Sequence, residues 1–324
     1  MALLALLAGA AEAPPGEPLS AECRRQVVTL CGTGNFRECL ATKMRPLDTG
    51  CRAEIMARAR ARGVAQASAE GAREITYGSN PLQRLDLSVP RNGEGGVPLV
   101  VFIHGGGWSI GDKGVGAGTK AKHFNGLGYG FASLNYRLVP QATVEQQAAD
   151  IAAALAELRK RAGELDIDGS RIVLMGHSAG AHLAALVAAD PRYLKAAGVP
   201  MNAVRGVVLL DGAGYDVAKQ MADPRNLVRS MYAAAFGSDP ERQYRLSPIA
   251  HAAAPNVAKW LILPVASRAD SPAQSRALAD ALCRNGTDAV VTPVPDSNHM
   301  KLNRDLGTVG DLATSEVDRF VVAA

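Results

Sequence analysis

One-sided charge is missing from this chain: 35 Lys and Arg stand against 31 Asp and Glu across 324 residues, a formal excess of only +4 spread along the sequence. Gripping a polyanion takes clustered cations, so nucleic acid is excluded as an expected partner. Long apolar runs are missing as well. Beyond the extreme amino terminus no 18 consecutive residues are apolar, which excludes a membrane span there. Cysteine is scarce, with five in all, and neither a C-x-x-C pair nor interleaved His accompanies it, so no metal site is expected. Repeats of solenoid length are absent too. What remains is ordinary globular composition, 48% apolar and 20% charged, with enough length for one large α/β core and a smaller appendage.

No Lys or Arg precedes Arg24, yet Met1 to Ala13 (MALLALLAGAAEA) form an apolar stretch closing on small residues, followed by the Pro-rich segment Pro14 to Pro18. Residues 1–13 read as a signal peptide, and a secreted or periplasmic location is expected. Four of the five cysteines, Cys23, Cys31, Cys39 and Cys51, crowd into 29 residues, a density that points to disulfides and an oxidising compartment. Residues 19–62 read as a helical hairpin turning at Gly32-Thr33-Gly34-Asn35. Of the three connectivities open to four cysteines, nested pairing of Cys31 with Cys39 and Cys23 with Cys51 is the geometrically easiest. The spacing C-x7-C-x7-C-L-x10-C resembles the cysteine-rich repeat of Golgi sialoglycoprotein-type proteins over about 30 residues. Cys283, alone in a helical pattern, reads as a small buried hydrophobe.

From residue 72 to 324 short β-rich runs alternate with helical stretches, the pattern of a mostly parallel sheet covered on both faces. Eight strands are expected: Glu74 to Tyr77, Arg84 to Val89, Leu99 to Ile103, Gly130 to Asn135, Ile172 to Met175, Val207 to Leu210, Trp260 to Ala266 and Ala289 to Val294. Near-continuous apolar runs such as VVFIH and GVVLL mark strands buried on both faces. Between them, Ala148, Ile151, Leu155 and Leu158 fall on one face of a helix over residues 144–161. The stretch from Asp216 to Ala250 reads as a small helical cap.

Gly176-His177-Ser178-Ala179-Gly180 matches G-x-S-x-G between an apolar strand and a helical run, the context that a nucleophile elbow needs. Small neighbours permit the strained turn that exposes the serine hydroxyl. Roughly 70 residues upstream, His104-Gly105-Gly106-Gly107-Trp108 follows the strand VVFI. It lacks the G-K-[ST] ending of a phosphate loop. Its bare backbone N–H groups suit a developing oxyanion, and one such donor is worth about 2.7 to 4 kcal/mol of barrier. Gly105 and Gly106, together with the N–H of Ala179, are the expected oxyanion hole, and Trp108 the expected substrate-contacting residue.

These motifs resemble the H-G-G-G-W and G-H-S-A-G lineage of α/β-hydrolases, the hormone-sensitive-lipase-like and feruloyl-esterase-like carboxylesterases with kynurenine formamidases as relatives. Asn135-Tyr136-Arg137-Leu138 and Ser267-Arg268-Ala269-Asp270-Ser271-Pro272 are further matches, the latter to the acid-bearing loop; Val139-Pro140-Gln141 departs from the usual A-P-E. The resemblance implies the α/β-hydrolase fold, an eight-stranded, mostly parallel sheet with helices on both faces, and acyl transfer through a serine, a histidine and an acid without cofactor or metal. Of six histidines only His299, in a polar loop near the carboxyl end, follows the serine in the required order. For the acid, Asp270 just past the seventh strand is expected over Asp296, since Ser271 and Pro272 already serve to start the next helix. The expected substrate is a small ester, short-chain or aryl. A formamide- or amide-cleaving enzyme with the same residues and a catalytically silent binding protein on this fold are the alternatives. The sequence leaves the oligomeric state open.

Overall fold

The computed structural model describes residues 19–31, 47–48, 50–51, 54–55, 72–90, 96–114, 117, 119–223, 229–253 and 255–324. The chain divides into two compact units, residues 1–66 and 67–324. The signal-peptide segment 1–13 lies outside the described residues.

In the first unit helix α1 (Ala21–Cys31) buries Cys23 and Val27 against Leu47 and Cys51. A disulfide joins Cys23 to Cys51, with Cα atoms 4.9 Å apart. The Asp48 N–H donates to Gln26 Oε1 at 3.0 Å and the Ser20 N–H to Glu54 Oε1 at 2.7 Å, so polar contacts flank the bridge. Cys31 is also disulfide-bonded; its expected partner Cys39, like most of the second half of the hairpin, lies outside the described residues.

The second unit is built on one sheet of eight strands: β1 (Arg73–Thr76), β2 (Arg84–Ser88), β3 (Val97–Ile103), β4 (Gly130–Leu134), β5 (Ile167–His177), β6 (Val204–Leu210), β7 (Lys259–Leu263) and β8 (Asp288–Val291). Their spatial order is β1-β2-β4-β3-β5-β6-β7-β8. The β1–β2 and β2–β4 pairs are antiparallel and all the others parallel. The principal helices of this unit are α2 (Lys120–Gly126), α3 (Val144–Lys160), α4 (Ala179–Ala189), α5 (Pro191–Ala196), α6 (Val217–Ala222), α7 (Arg229–Phe236), α8 (Pro240–Arg245), α9 (Ser271–Arg284), α10 (His299–Asp305) and α11 (Leu312–Ala323).

The apolar strand runs are explained by two cores. Leu99, Val101 and Ile103 of β3 face one way with Leu174, Leu209 and Ile262, covered by α3, α4 and α9. Val100 and Phe102 face the other way with Val173, Met175, Val208 and Leu261, covered by Phe124 of α2, Leu302 of α10 and Val317 and Val321 of α11. A strand buried on both faces has no position for a polar residue, hence the unbroken runs. Helix α3 begins in a capping box of Thr143 and Gln146 and buries the expected stripe Ala148, Ile151, Leu155 and Leu158. Every residue of α4 is buried, which is why its sequence shows no polar face.

Cys283 departs from expectation. Its place on α9 is exposed, outside the apolar stripe of Leu278 and Leu282 that packs on the sheet, and its thiol meets the Ala289 carbonyl oxygen at 3.4 Å.

At β3 the chain order reverses, with β4 on one side and β5 on the other. Open α/β sheets form their crevice at such a point, beyond the carboxyl ends of the strands. Ile103 pairs with Gly176 and His177 with Leu210, so the residues after β3, β5 and β6 emerge side by side at one edge.

Candidate active site

Ser178 stands in the turn between β5 and α4 with φ 56° and ψ −120°, a left-handed backbone that a side chain adopts only under compensation. Packing supplies it. A Cβ on Gly176 would collide with the Gly180 backbone, and one on Gly180 with the Ile103 carbonyl, so the two flanking glycines let the turn close against β3. The Ser178 N–H donates to the Leu210 carbonyl at 3.0 Å, tying the turn to β6.

The hydroxyl oxygen lies 3.0 Å from His299 Nε2, and His299 Nδ1 lies 2.6 Å from Asp211 Oδ2. A carboxylate at Nδ1 fixes the tautomer: Nδ1 carries the proton and donates it to Asp211, leaving Nε2 to accept from the serine. His299 opens helix α10, whose N-cap Asn298 accepts from the Lys301 N–H. Its carbonyl accepts a 2.9 Å hydrogen bond from His177 Nε2, and the two imidazoles lie 4.5 Å apart. Burial, with the His299 charge next in weight, pushes His177 well below its ordinary value, so it is a neutral donor.

Asp211 follows β6 directly and is fully buried. Its Oδ1 accepts from the Val265 N–H at 2.9 Å, and its Oδ2 from His299 and from Arg268 Nη1 at 2.9 Å. Burial works to raise this carboxyl, but the His299 hydrogen bond and the Arg268 charge outweigh it and hold Asp211 well below the usual carboxylate range. It is the ionised partner that an imidazolium needs.

The expected contact between Asp270 and His299 is not formed. Asp270 is the N-cap of α9: its Oδ1 accepts from the Ser271 N–H at 2.8 Å, and both oxygens are taken by the Arg268 guanidinium, with Gln220 Nε2 3.0 Å from Oδ2. Ser271, read from the sequence as the cap, instead donates its hydroxyl to the Gly212 carbonyl at 2.8 Å. That displacement makes Asp270 the helix cap and leaves Asp211, at the end of β6, as the carboxylate on His299. Asp296 is exposed at the surface. Asp211 could have been read from one signal, a charged residue set directly after the apolar run GVVLL and before a glycine.

The glycine loop lies beside Ser178. A Cβ on Gly105 would stand 2.9 Å from Ser178 Cβ and 2.9 Å from the His177 carbonyl, so only glycine allows this approach. Gly106, at φ 121°, turns the chain back so that its carbonyl accepts from the N–H groups of Ser109 and Ile110. Ala179 follows Ser178 at the amino end of α4. Tyr136 stacks on His104 at 4.5 Å and donates its hydroxyl to the His104 carbonyl, supporting the loop from below.

Trp108 does not line an open surface. It is 1% exposed and packs edge-on against His182, Tyr232 and Phe236, with ring centroids 5.4, 5.0 and 4.7 Å away. Its Nε1–H donates to His182 Nδ1 at 3.3 Å, and His182 Nε2 donates to the Leu246 carbonyl at 2.9 Å. Burial pushes His182 down to about 4, so this ring is neutral. Trp108 thus anchors the glycine loop to α7 and to the segment after α8 in the cap region. Met231 of α7 covers Gly107, where a Cβ would strike its sulfur.

Lys120 of α2 is buried beneath α10, donating to the Asn303 carbonyl and lying 5.2 Å from the Phe102 ring centroid. Burial pushes its ammonium down to about 7 despite attraction from Asp305 and Asp311. A base depressed in the folded state is protonated more readily in the unfolded chain. From about pH 7 up to the ordinary lysine value near ~10.4 the unfolded state therefore binds more protons, and folding gains stability as pH rises. Lys120→Met removes that contribution. In urea unfolding, wild-type stability minus variant stability should rise between pH 7 and pH 9 by at most about 1.4 kcal/mol per pH unit. A flat difference would show that this ammonium does not titrate in that window.

The BD-FAE family model matches residues 85–255. An isoprenylcysteine alpha-carbonyl methylesterase of Arabidopsis thaliana is 39% identical over 115 residues, 35% of this chain and 26% of that one. A kynurenine formamidase of Salmo salar is 30% identical over 128 residues, 40% of each chain. The chain thus spans between about a quarter and two fifths of these relatives. Among solved structures, esterase B from Lactobacillus rhamnosis superposes with a TM-score of 0.67 at 23% identity, covering 82% of this chain and 93% of that one. A Thermogutta terrifontis esterase does so with a TM-score of 0.61 at 22% identity, covering 78% and 92%. Those two likenesses establish the fold. With the eight-stranded sheet, the elbow and a family match over more than half its length, the chain belongs to the BD-FAE family of α/β-hydrolases.

Proposed function

We propose that this protein is a serine hydrolase of small carboxylic esters, short-chain or aryl, acting through Ser178, His299 and Asp211. The observation that carries the reading is the relay from Ser178 Oγ to His299 Nε2 at 3.0 Å and from His299 Nδ1 to Asp211 at 2.6 Å, at the carboxyl edge of the sheet. His299 Nε2 takes the hydroxyl proton as Ser178 Oγ bonds to the ester carbonyl carbon. Asp211 stabilises the imidazolium, and the backbone N–H groups of Gly105, Gly106 and Ala179 receive the carbonyl oxygen as it becomes an oxyanion. The imidazolium returns its proton to the leaving alcohol. Water, deprotonated by His299, then attacks the acyl group and releases the acid and free Ser178. Esterase names among relatives and structural neighbours support the ester reading, and the kynurenine formamidase relative gives the formamide alternative its place. The Cys23–Cys51 bridge supports a secreted or periplasmic location.

The purified protein should hydrolyse short p-nitrophenyl esters faster than N-formylkynurenine. A serine-directed organophosphonate should stop turnover at one equivalent, with the adduct mapped by mass spectrometry to Ser178. Adduct on another residue rejects the mechanism; faster formamide turnover keeps the mechanism and changes the substrate class.

A further inference from the structure

Arg268 moves no proton in that reaction, yet it is built into the relay. Its Nη1 lies 2.9 Å from Asp211 Oδ2 and 2.9 Å from His299 Nδ1, while Nε and Nη2 meet the two oxygens of Asp270 at 3.1 and 3.0 Å. Nδ1 already donates its proton to Asp211, so Nη1 cannot donate to it as well; the two donors share one carboxylate oxygen. The electrostatic consequence is direct. Asp211 alone presents one negative charge to the imidazolium that forms in acyl transfer, the guanidinium beside it cancels that charge, and Asp270 on the far side of the guanidinium restores it. Three loops hold the array: Asp211 after β6, Arg268 and Asp270 after β7, and His299 after β8. Gln220 of α6 and the Ser271 N–H complete the coordination of Asp270, so the outer carboxylate is fixed in place. Of the other charged or titratable groups near the array, His177 is neutral, burial holds the Tyr215 and Tyr232 hydroxyls protonated by pushing them up, and Lys120 lies behind the imidazole under α10.

We propose that Arg268 and Asp270 are a positioning pair for the relay. Arg268 pins Asp211 Oδ2 against His299, and Asp270 neutralises Arg268 so that the Asp211 charge remains available to the imidazolium. This rests on the assignment of Asp211 as the acid.

The test is the pH dependence of kcat/KM for a short p-nitrophenyl ester in wild type, Arg268→Met, Asp270→Asn and the double variant, with Asp211→Asn beside them. Removing the cation eases protonation of the imidazole, so the acid limb of Arg268→Met should move up by about one pH unit. Removing the outer anion leaves the cation uncompensated, so the limb of Asp270→Asn should move down by about one unit. In the double variant the two shifts should cancel and the limb should return to its wild-type position. Arg268→Lys keeps the charge without the fork, so it should hold the limb in place and lower kcat with little change in KM; it also serves if Arg268→Met does not fold. Limbs that stay put, or shift the same way in both single variants, overturn the proposal while a collapse of Asp211→Asn leaves the relay standing. Collapse of Asp270→Asn with Asp211→Asn still active overturns the relay as well, making Asp270 the acid.

Discussion

Ser178→Ala should lower kcat on a short p-nitrophenyl ester by about six orders of magnitude and leave the fold and KM nearly unchanged. The size follows from the way a nucleophile and its base act as a unit: with the serine gone the histidine has no proton to take, and the precedent for such a loss in another serine hydrolase is on the order of 10⁶. A residue of catalysis survives, since the oxyanion donors still favour direct attack by water, by about 10³ to 10⁴ over solution. KM holds because the hydroxyl contributes to the transition state far more than to substrate binding. The fold holds because alanine places the same Cβ in the same strained turn, whose backbone is tied to Leu210 and flanked by Gly176 and Gly180. Turnover measured beside circular dichroism checks both halves. Activity above one hundredth of wild type in a folded Ser178→Ala would place the nucleophile elsewhere.

The elbow at Ser178 was legible in the sequence because everything that makes it is local. An apolar strand, two glycines in register with the serine and an apolar helix are contiguous, and the strained turn is written in five residues. Four of the eight strands, β3, β5, β6 and β7, were legible for a related reason: burial on both faces leaves unbroken apolar runs, and the largest shift of an end is five residues, at the start of β5. Longer-range geometry was not legible. Asp211 and Asp270 both stand just past apolar strands, and the choice between them depends on where Arg268 points, a fact of three loops meeting in space. Ser271 is the residue that the sequence offers as helix cap, but its hydroxyl turns to Gly212 and the cap falls to Asp270. Trp108 misled in the same way. An aromatic residue after a glycine loop can face a substrate or pack inward, and it packs inward because α7 supplies Tyr232 and Phe236 from more than a hundred residues away. Residue type alone favours burial of Cys283, but its place on α9 puts it outside the buried stripe.

Asp211→Asn should lower kcat by about 10⁴, while Asp270→Asn stays within about tenfold of wild type at the pH optimum. An asparagine at 211 keeps the volume but offers His299 an amide that can donate, which favours the tautomer with the proton on Nε2. That nitrogen then cannot accept from Ser178, and the precedent for an acid-to-amide change in such a relay is a loss near 10⁴. The buried site sharpens the effect, because the imidazolium formed during attack would lose the carboxylate that faces it and keep the Arg268 guanidinium, 2.9 Å from Nδ1 and paired only with Asp270, as a neighbour. Asp270 touches neither His299 nor Ser178, and in Asp270→Asn the Asp211 contact to Nδ1 survives. Because Arg268 binds both carboxylates, each variant needs its folding checked by urea unfolding before the rates are compared. With folding intact, the reverse order of losses would move the acid to the end of β7 and leave Ser178 and His299 in place.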